Sequence, residues 1–408
     1  MYAKNLVCRK CGATYPLENR YSCERCGGIL EVTYDYEKAF AEEPIENPDT
    51  DYPGLWKYHA MLPVRDKRNI VSLGEGDTPL IGAGRITELW GCNLQMLVKA
   101  EMMMPTGSFK DRPTSVGVSV AKEKGFGKIV VASSGNASAA AAGYAARAGM
   151  DCVVFVPETT DINKVIQAQS YGAQVICVKG SYSRSFNMAK TCAEKYGWAN
   201  VTSTFINPYT VEADKTPAYE LYSQLKRRVP DYVFIPIGSG PLLVGMVKGY
   251  EEMMKMGLVD RIPAMIGVQV SACEPITRAY DRGIDTVEGW NQEIKTAAGG
   301  ISDPLIGYEG DGELTLSTVR KTSGMMVSLN EEEVQEALDV VERKLGLYCE
   351  PTGAVSVGAV KKMWDKGLLK EDSLAVCLTT GHGFKYSGRS PKKPPVIESV
   401  EQIDRLVR

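Results

Sequence analysis

A single lysine, Lys110, closes the run PTGSFK in the segment PTGSFKDR (residues 105–112), where a helical pattern over residues 111–124 begins. A helix N-terminus carries partial positive charge and unpaired N–H groups, so it favours anions and depresses the pKa of a nearby amine. An amine that has shed its proton can attack an aldehyde carbon, and this placement suits that chemistry. A surface lysine in a helix cap would show the same local pattern. Three turns downstream separate the two readings. ASSGNAS (132–138) follows the apolar run 128–132 and precedes an Ala-rich stretch ending at Gly149. It reads as strand, polar turn and helix, with backbone N–H groups free to hold a carboxylate. YVFIPI (232–237) runs into GSGPLL (238–243) and then a helix to Met254, the pattern of a phosphate cradle. LAVCL (374–378) enters TTGHG (379–383), where the Thr380 hydroxyl could bond a ring nitrogen without giving it a full proton. Each turn alone is weak evidence, because glycine turns after strands abound in α/β proteins. Four such segments in this order are strong evidence.

This order resembles the fold-type II pyridoxal-phosphate enzymes, and among them the threonine synthase family. The resemblance spans residues 71–385 and includes SLGEGDTPL (72–80), Asn207-Pro208 followed by Lys215-Thr216, and Glu350-Pro351. It implies that Lys110 is the Schiff-base lysine and proton carrier, and that Asn136 partners the phenolic oxygen of pyridoxal 5'-phosphate. It further implies a phosphate cup of Gly238, Ser239, Gly240, Leu242 and Leu243, and Thr380 at the ring nitrogen. Ser134, Ala137 and Ser138 are the candidate substrate contacts. A neutral hydroxyl at the ring nitrogen goes, in that family, with elimination and replacement at the β carbon. The expected activity is therefore formation of threonine from phosphohomoserine and water. His382 stands in the Thr380 loop, where the family also carries a histidine; it would touch the chemistry or bond backbone. His59 reads as a surface or packing residue, Asp111 and Arg112 as paired with each other or with the sheet, and Glu75 as facing a substrate amine or capping a turn.

The departures from the family concern the substrate phosphate. Where threonine synthases place Thr, Ser, Arg and Asn, the matching positions here are Ala137, Phe205, Thr210 and Ser239. No guanidinium stands there to make two parallel bonds to phosphate; Arg184 and Lys215 are candidate substitutes. On this ground phosphohomoserine is expected to bind weakly, and the alternative activity is a threonine/serine ammonia-lyase or a β-replacement enzyme on an unphosphorylated substrate.

Cys8, Cys11, Cys23 and Cys26 form two C-x-x-C knuckles, followed by Gly12 and by Gly27-Gly28, as a zinc ribbon requires. Four thiolates complete a tetrahedral site, so a structural Zn2+ is expected, with iron or free thiols as alternatives. The remaining seven cysteines are scattered through the apolar body, a pattern of reduced core residues and a cytoplasmic protein. No apolar run approaches a membrane span and the first residues lack a signal pattern. A net charge of −3 gives no reason to expect nucleic acid or membrane as partner. Arg9, Lys10, Arg20 and Arg25 on the ribbon are few and matched by nearby acids. The expected partner is a small amino acid, and the expected assembly a homodimer.

At 408 residues the chain has room for several domains. Strand-like and helical runs alternate at 152–156, 164–171, 174–178 and 185–195. Such alternation predicts parallel strands with crossover helices, hence an α/β fold of doubly wound parallel sheets. With the resemblance this becomes two such domains, as in the tryptophan synthase beta-like fold, plus the ribbon. The expected division is a ribbon at 1–33, an acidic, proline-marked connector at 34–66, a large domain at 67–94 and 204–386, a smaller mobile domain at 95–203, and a tail at 387–408 with a short helix over 398–407.

Overall fold

The computed structural model describes residues 2–180, 182–388 and 393–396; the helix expected over 398–407 lies outside them. The first strands, β1 Ala3–Cys8, β2 Thr14–Tyr15 and β3 Leu30–Tyr34, form a three-stranded antiparallel sheet in the order β2-β1-β3. Next come β4 Leu80–Gly82, β5 Gln95–Lys99, β6 Lys128–Ala132, β7 Asp151–Pro157, β8 Gln174–Val178, β9 Ala199–Asn200, β10 Tyr232–Pro236, β11 Ala264–Val270, β12 Met325–Leu329 and β13 Leu374–Leu378. They make a six-stranded sheet, β12-β11-β10-β13-β5-β4, parallel except for the edge strand β4, and a four-stranded parallel sheet, β8-β7-β6-β9. Every residue of β10 and β13 is buried, as expected for parallel strands covered by helices on both faces.

The alternation read from the sequence is present. β7 and β8 alternate with the helices Ile166–Ser170 and Tyr182–Tyr196. The helix following Lys110 runs Asp111–Glu123, and the Ala-rich one runs Asn136–Ala148 and ends at Gly149, whose φ of 68° closes it in the left-handed region. Two expectations change. β5, placed at the start of the smaller unit by the sequence, pairs with β13 and belongs to the six-stranded sheet. The segment 34–66 is more than a connector: Leu55, Trp56 and Leu62 are fully buried, and the Trp56 indole donates to Glu75 Oε1 and Ser115 Oγ, 2.9 Å each. Its aromatic residues pack into the main core, which an acidic, proline-rich composition conceals.

The chain passes from β10 through β11 to β12 on one side of the six-stranded sheet, while β13 and β5 lie on the other. Turns leaving the carboxyl ends of β10 and β13 therefore diverge at a switch of strand order, where open α/β sheets bind ligands. Beneath that point lies a buried ion network. Arg112 donates to both oxygens of Glu101 (2.7 and 2.8 Å) and to Glu220 (2.5 and 2.8 Å), and Lys99 adds a 2.6 Å bond to Glu220. All four side chains are fully buried. Burial opposes charge on Glu220, yet Arg112 and Lys99 hold its carboxyl below the usual range. Arg112 does not pair with Asp111, which instead accepts the Thr106 N–H at 2.7 Å and the Thr106 hydroxyl.

Removing one partner of such a network leaves a buried uncompensated charge. Arg112→Met should lower unfolding stability by about 3–5 kcal/mol in denaturant titrations. Arg282→Met, which breaks the exposed Arg282–Glu288 pair, should cost about 1 kcal/mol or less.

Candidate active site

Four turns line one cleft of about 1490 Å³. Residues 105–110 arrive after β5, 133–137 after β6, 236–242 around the end of β10, and Thr380 and its neighbours after β13. Lys110 caps the helix Asp111–Glu123 and its Nζ donates to Ser203 Oγ at 2.6 Å. Burial pushes the amine down to about 8, against the pull of the Asp214 and Asp303 carboxyls. Desolvation is thus the leading cause of the lowered pKa that the helix start alone suggested.

The turn after β10 is built around Gly240, which has φ of 99°. A Cβ there would lie 2.3 Å from Thr315 Oγ1, whose hydroxyl donates to the Ser239 carbonyl at 2.6 Å. A Cβ on Gly238 would stand 3.0 Å from the Asp303 Cβ. The helix Pro241–Lys255 starts immediately afterwards with proline in its first turn, so the N–H groups of Leu242 and Leu243 have no partner within the helix. Leu242 lines the cleft, whereas Leu243 is fully buried in the core behind it. Across from this cradle, Thr380 is buried and its Oγ1 has no hydrogen-bond partner among the described residues. Such a group calls for a ligand atom, because unpaired buried hydroxyls are costly.

Asn136 begins its helix and donates from Nδ2 to Glu350 Oε1 at 2.8 Å. Burial pushes the Glu350 carboxyl up to about 7, opposed by Lys385, the Asn136 bond and Lys164. Ser134 and Ala137 lie on the cleft wall. Ser138 stands behind it, fully buried, with its hydroxyl donating to the Gly135 carbonyl at 2.7 Å. His382 lines the cleft and caps its own loop, accepting the Phe384 N–H at 3.2 Å. Glu75 is buried and accepts from Leu73 N (2.9 Å) and Tyr144 OH (2.7 Å), so it caps a turn. His59 is a packing residue bonded to the Val64 carbonyl at 3.0 Å.

The four positions read as a phosphate site do not meet. Ala137 and Ser239 are on the wall, but Phe205 and Thr210 are buried behind it. The Phe205 N–H donates to Asp311 Oδ2 at 3.3 Å and Thr210 donates to the Asn207 carbonyl at 2.8 Å. Neither suggested substitute reaches the cleft. Lys215 is fully buried against Glu212 (2.9 Å) and Glu252 (3.1 Å), and Arg184 is an exposed residue of the helix Tyr182–Tyr196, beside Gly180. Sequence reading missed Ser203, Asp214, Asp303, Lys164 and Lys385. They lie in loops or turns without periodicity, and only their convergence singles them out.

A second cluster lies on the three-stranded sheet. The sulfurs of Cys8, Cys11, Cys23 and Cys26 all lie within 4.8 Å of one another, with Cys8–Cys26 at 3.5 Å and Cys11–Cys23 at 3.6 Å. Sulfurs about 2.3 Å from one tetrahedral zinc would stand roughly 3.8 Å apart. A Cβ on Gly28 would meet the Cys8 sulfur at 2.9 Å, so the knuckle needs glycine there.

A family model described as pyridoxal-phosphate dependent enzyme matches residues 71–381. The chain is similar to threonine synthase of Methanocaldococcus jannaschii, 38% identical over 400 residues and 96% of each chain. It is likewise similar to threonine synthase of Methanosarcina acetivorans, 36% identical over 93% of this chain and 92% of that one. Among solved structures, a threonine deaminase from T.th. superposes with a TM-score of 0.63 at 25% identity, covering 78% of this chain and 94% of that one.

The depressed pKa has a direct consequence in the cofactor-free protein. Lys110 should react with an amine-specific acylating reagent with half-maximal rate near pH 8, well below an ordinary lysine near 10.5. Asp214→Asn removes a carboxyl that raises this pKa and should move the midpoint to lower pH. Peptide mapping by mass spectrometry against pH reads both.

Proposed function

We propose that this chain, which belongs to the pyridoxal-phosphate-dependent enzyme family and within it to the threonine synthases, converts phosphohomoserine and water to threonine and phosphate. The observation that carries the reading is 38% identity to a threonine synthase along 96% of both chains. An ammonia-lyase acting on an unphosphorylated hydroxy amino acid is not favoured; the deaminase likeness is weaker, at 25% identity.

The residues present fit pyridoxal phosphate: a half-buried amine of lowered pKa, an orphaned buried hydroxyl, and a glycine turn on a helix N-terminus share one cleft. Lys110 would hold the aldehyde carbon, the backbone of 238–243 the phosphate, Thr380 the ring nitrogen and Asn136 the phenolic oxygen. Asn136 has two amide N–H groups and gives one to Glu350, which leaves one for this bond. When bound, the cofactor supplies an electron sink that stabilises negative charge at substrate carbons. The protein then has to move protons and exclude competitors. Lys110 Nζ is the proton carrier, and Ser203 Oγ keeps it pointed into the cleft. The neutral Thr380 hydroxyl leaves the ring nitrogen without a full positive charge, which favours β-elimination and replacement over transamination. The free N–H groups of the 133–137 turn are placed to take the substrate carboxylate.

Purified holoenzyme given phosphohomoserine should release phosphate and threonine in equal amounts, and should release ammonia from threonine or serine far more slowly. Lys110→Ala should abolish turnover and the visible cofactor band. Ammonia release exceeding phosphate release would transfer the assignment to the lyases.

For the cysteine cluster, the reading is one structural zinc per chain, because four thiolates leave no open position for chemistry. The seven cysteines outside the cluster form no disulfide, and on that pattern the setting is read as reducing and cytoplasmic. Metal analysis should find about one zinc equivalent per chain. Chelation should unfold the three-stranded sheet, read by protease sensitivity of its segment, while the cofactor band persists.

A further inference from the structure

The buried Lys124 ammonium lies over the Tyr209 ring, 4.0 Å from its centroid; the other buried cations outside the cleft are matched by acids, Lys99 and Arg112 by Glu220 and Glu101, and Lys215 and Lys248 by Glu212. Two lysines on the cleft wall are not. Lys385, half-buried after β13, donates at 2.9 Å to the Thr106 carbonyl and at 2.6 Å to Gln167 Oε1, both neutral acceptors. An ammonium has three N–H donors, so one remains. Lys164, exposed at the end of the short helical turn Ile162–Lys164 beyond β7, makes no side-chain hydrogen bond or ion pair among the described residues, and its Nζ comes within 3.9 Å of where a Cβ on Gly299 would stand. Among the described residues, no carboxylate lies within 4 Å of either ammonium. The acids on the wall nearby are engaged: Asp161 accepts the Asn163 N–H at 3.0 Å, Glu331 the Ala297 N–H at 2.8 Å, and Glu350 the Asn136 amide. Two unmatched positive charges face one cleft, and both act electrostatically on Glu350. Such an arrangement seeks a mobile anion of more than one charge.

We propose that Lys164 and Lys385 form the subsite for the phosphate monoester of the substrate, replacing the guanidinium that the 205–210 segment lacks. This inference rests on the phosphohomoserine reading and assigns that reading its missing grip. Thr106 and Gln167 position Lys385, and Gln167 also donates to the Thr106 carbonyl at 3.0 Å, so the ammonium is held in place before substrate arrives.

The test uses holoenzyme with Lys164→Gln, Lys385→Gln and Lys385→Arg, with phosphohomoserine, threonine and inorganic phosphate as probes. Each glutamine variant should raise the KM for phosphohomoserine and the inhibition constant for inorganic phosphate about tenfold or more. Its affinity for threonine, read from the visible band, should be unchanged, and Lys385→Arg should retain most phosphate binding. If Lys385→Gln loses the cofactor band, Lys164→Gln decides, since that side chain makes no contact that folding needs. An unchanged KM for phosphohomoserine in Lys164→Gln would overturn the subsite and leave the function standing. Equal weakening of threonine would assign the lysines to the carboxylate and overturn it too. If wild type failed to turn over phosphohomoserine while phosphate inhibition still depended on both lysines, the subsite would stand and the reaction would fall.

Discussion

Arg112 is fully buried and bridges Glu101, just beyond the end of β5, to Glu220 on the helix Thr216–Gln224. Lys110 stands two residues before it, so the guanidinium fixes where the amine enters the cleft. The same network pins β5 through Lys99. Buried charges held in this way add little net stability over an apolar core, but they admit only one arrangement of their partners. Here that arrangement joins the end of β5, the helix behind Lys110 and the helix carrying Glu220. Asp111 works beside it by closing the Thr106 turn.

Charge in the interior divides into two kinds. Around Glu212, Lys215, Lys248 and Glu252, acids and bases neutralise one another and Tyr34 donates a further 2.9 Å bond to Glu212. In the cleft and just behind its wall, Lys110, Glu350 and Asp214 form no ion pair among the described residues, and burial moves them toward neutrality: Lys110 and Glu350 on the wall go down to about 8 and up to about 7, and Asp214 behind it goes up to about 7. Groups poised near neutral pH exchange protons readily, as an elimination requires. The matched cluster is thus closed on itself, whereas the cleft groups are left to titrate near neutral pH.

The cysteine sheet is tied into the same architecture. The Tyr21 hydroxyl accepts the Asn200 N–H at 2.8 Å, and the Tyr209 hydroxyl donates to the Glu18 carbonyl at 2.6 Å. Asn207 in turn holds the Asn200 carbonyl at 2.8 Å. Ser203, which receives the Lys110 hydrogen bond, lies between these anchors. The N-terminal sheet thus braces one wall of the cleft without entering it. Its basic residues Arg9 and Arg20 are paired with Glu31 and Glu18.

Local sequence carries the parts of this protein whose physics is local. Strand cores such as 128–132 and 374–378, the helix after Lys110, the glycine turn at 238–240 and the paired C-x-x-C knuckles all depend on near neighbours, and the chain states them directly. The order of its turns was enough to name the chemistry. Position across the cleft is another matter. Phe205 and Thr210 sit at the expected places in the chain but face the interior, and Ser138 turns its hydroxyl back to Gly135. Trp56 comes from a stretch with the composition of a connector and is fully buried. Lys164 and Lys385 lie 221 residues apart and share a wall only because β7 and β13 end on the same side of one cleft. Side-chain direction and desolvation are set by packing between distant segments, so tertiary structure alone decided which charges are matched and which are not.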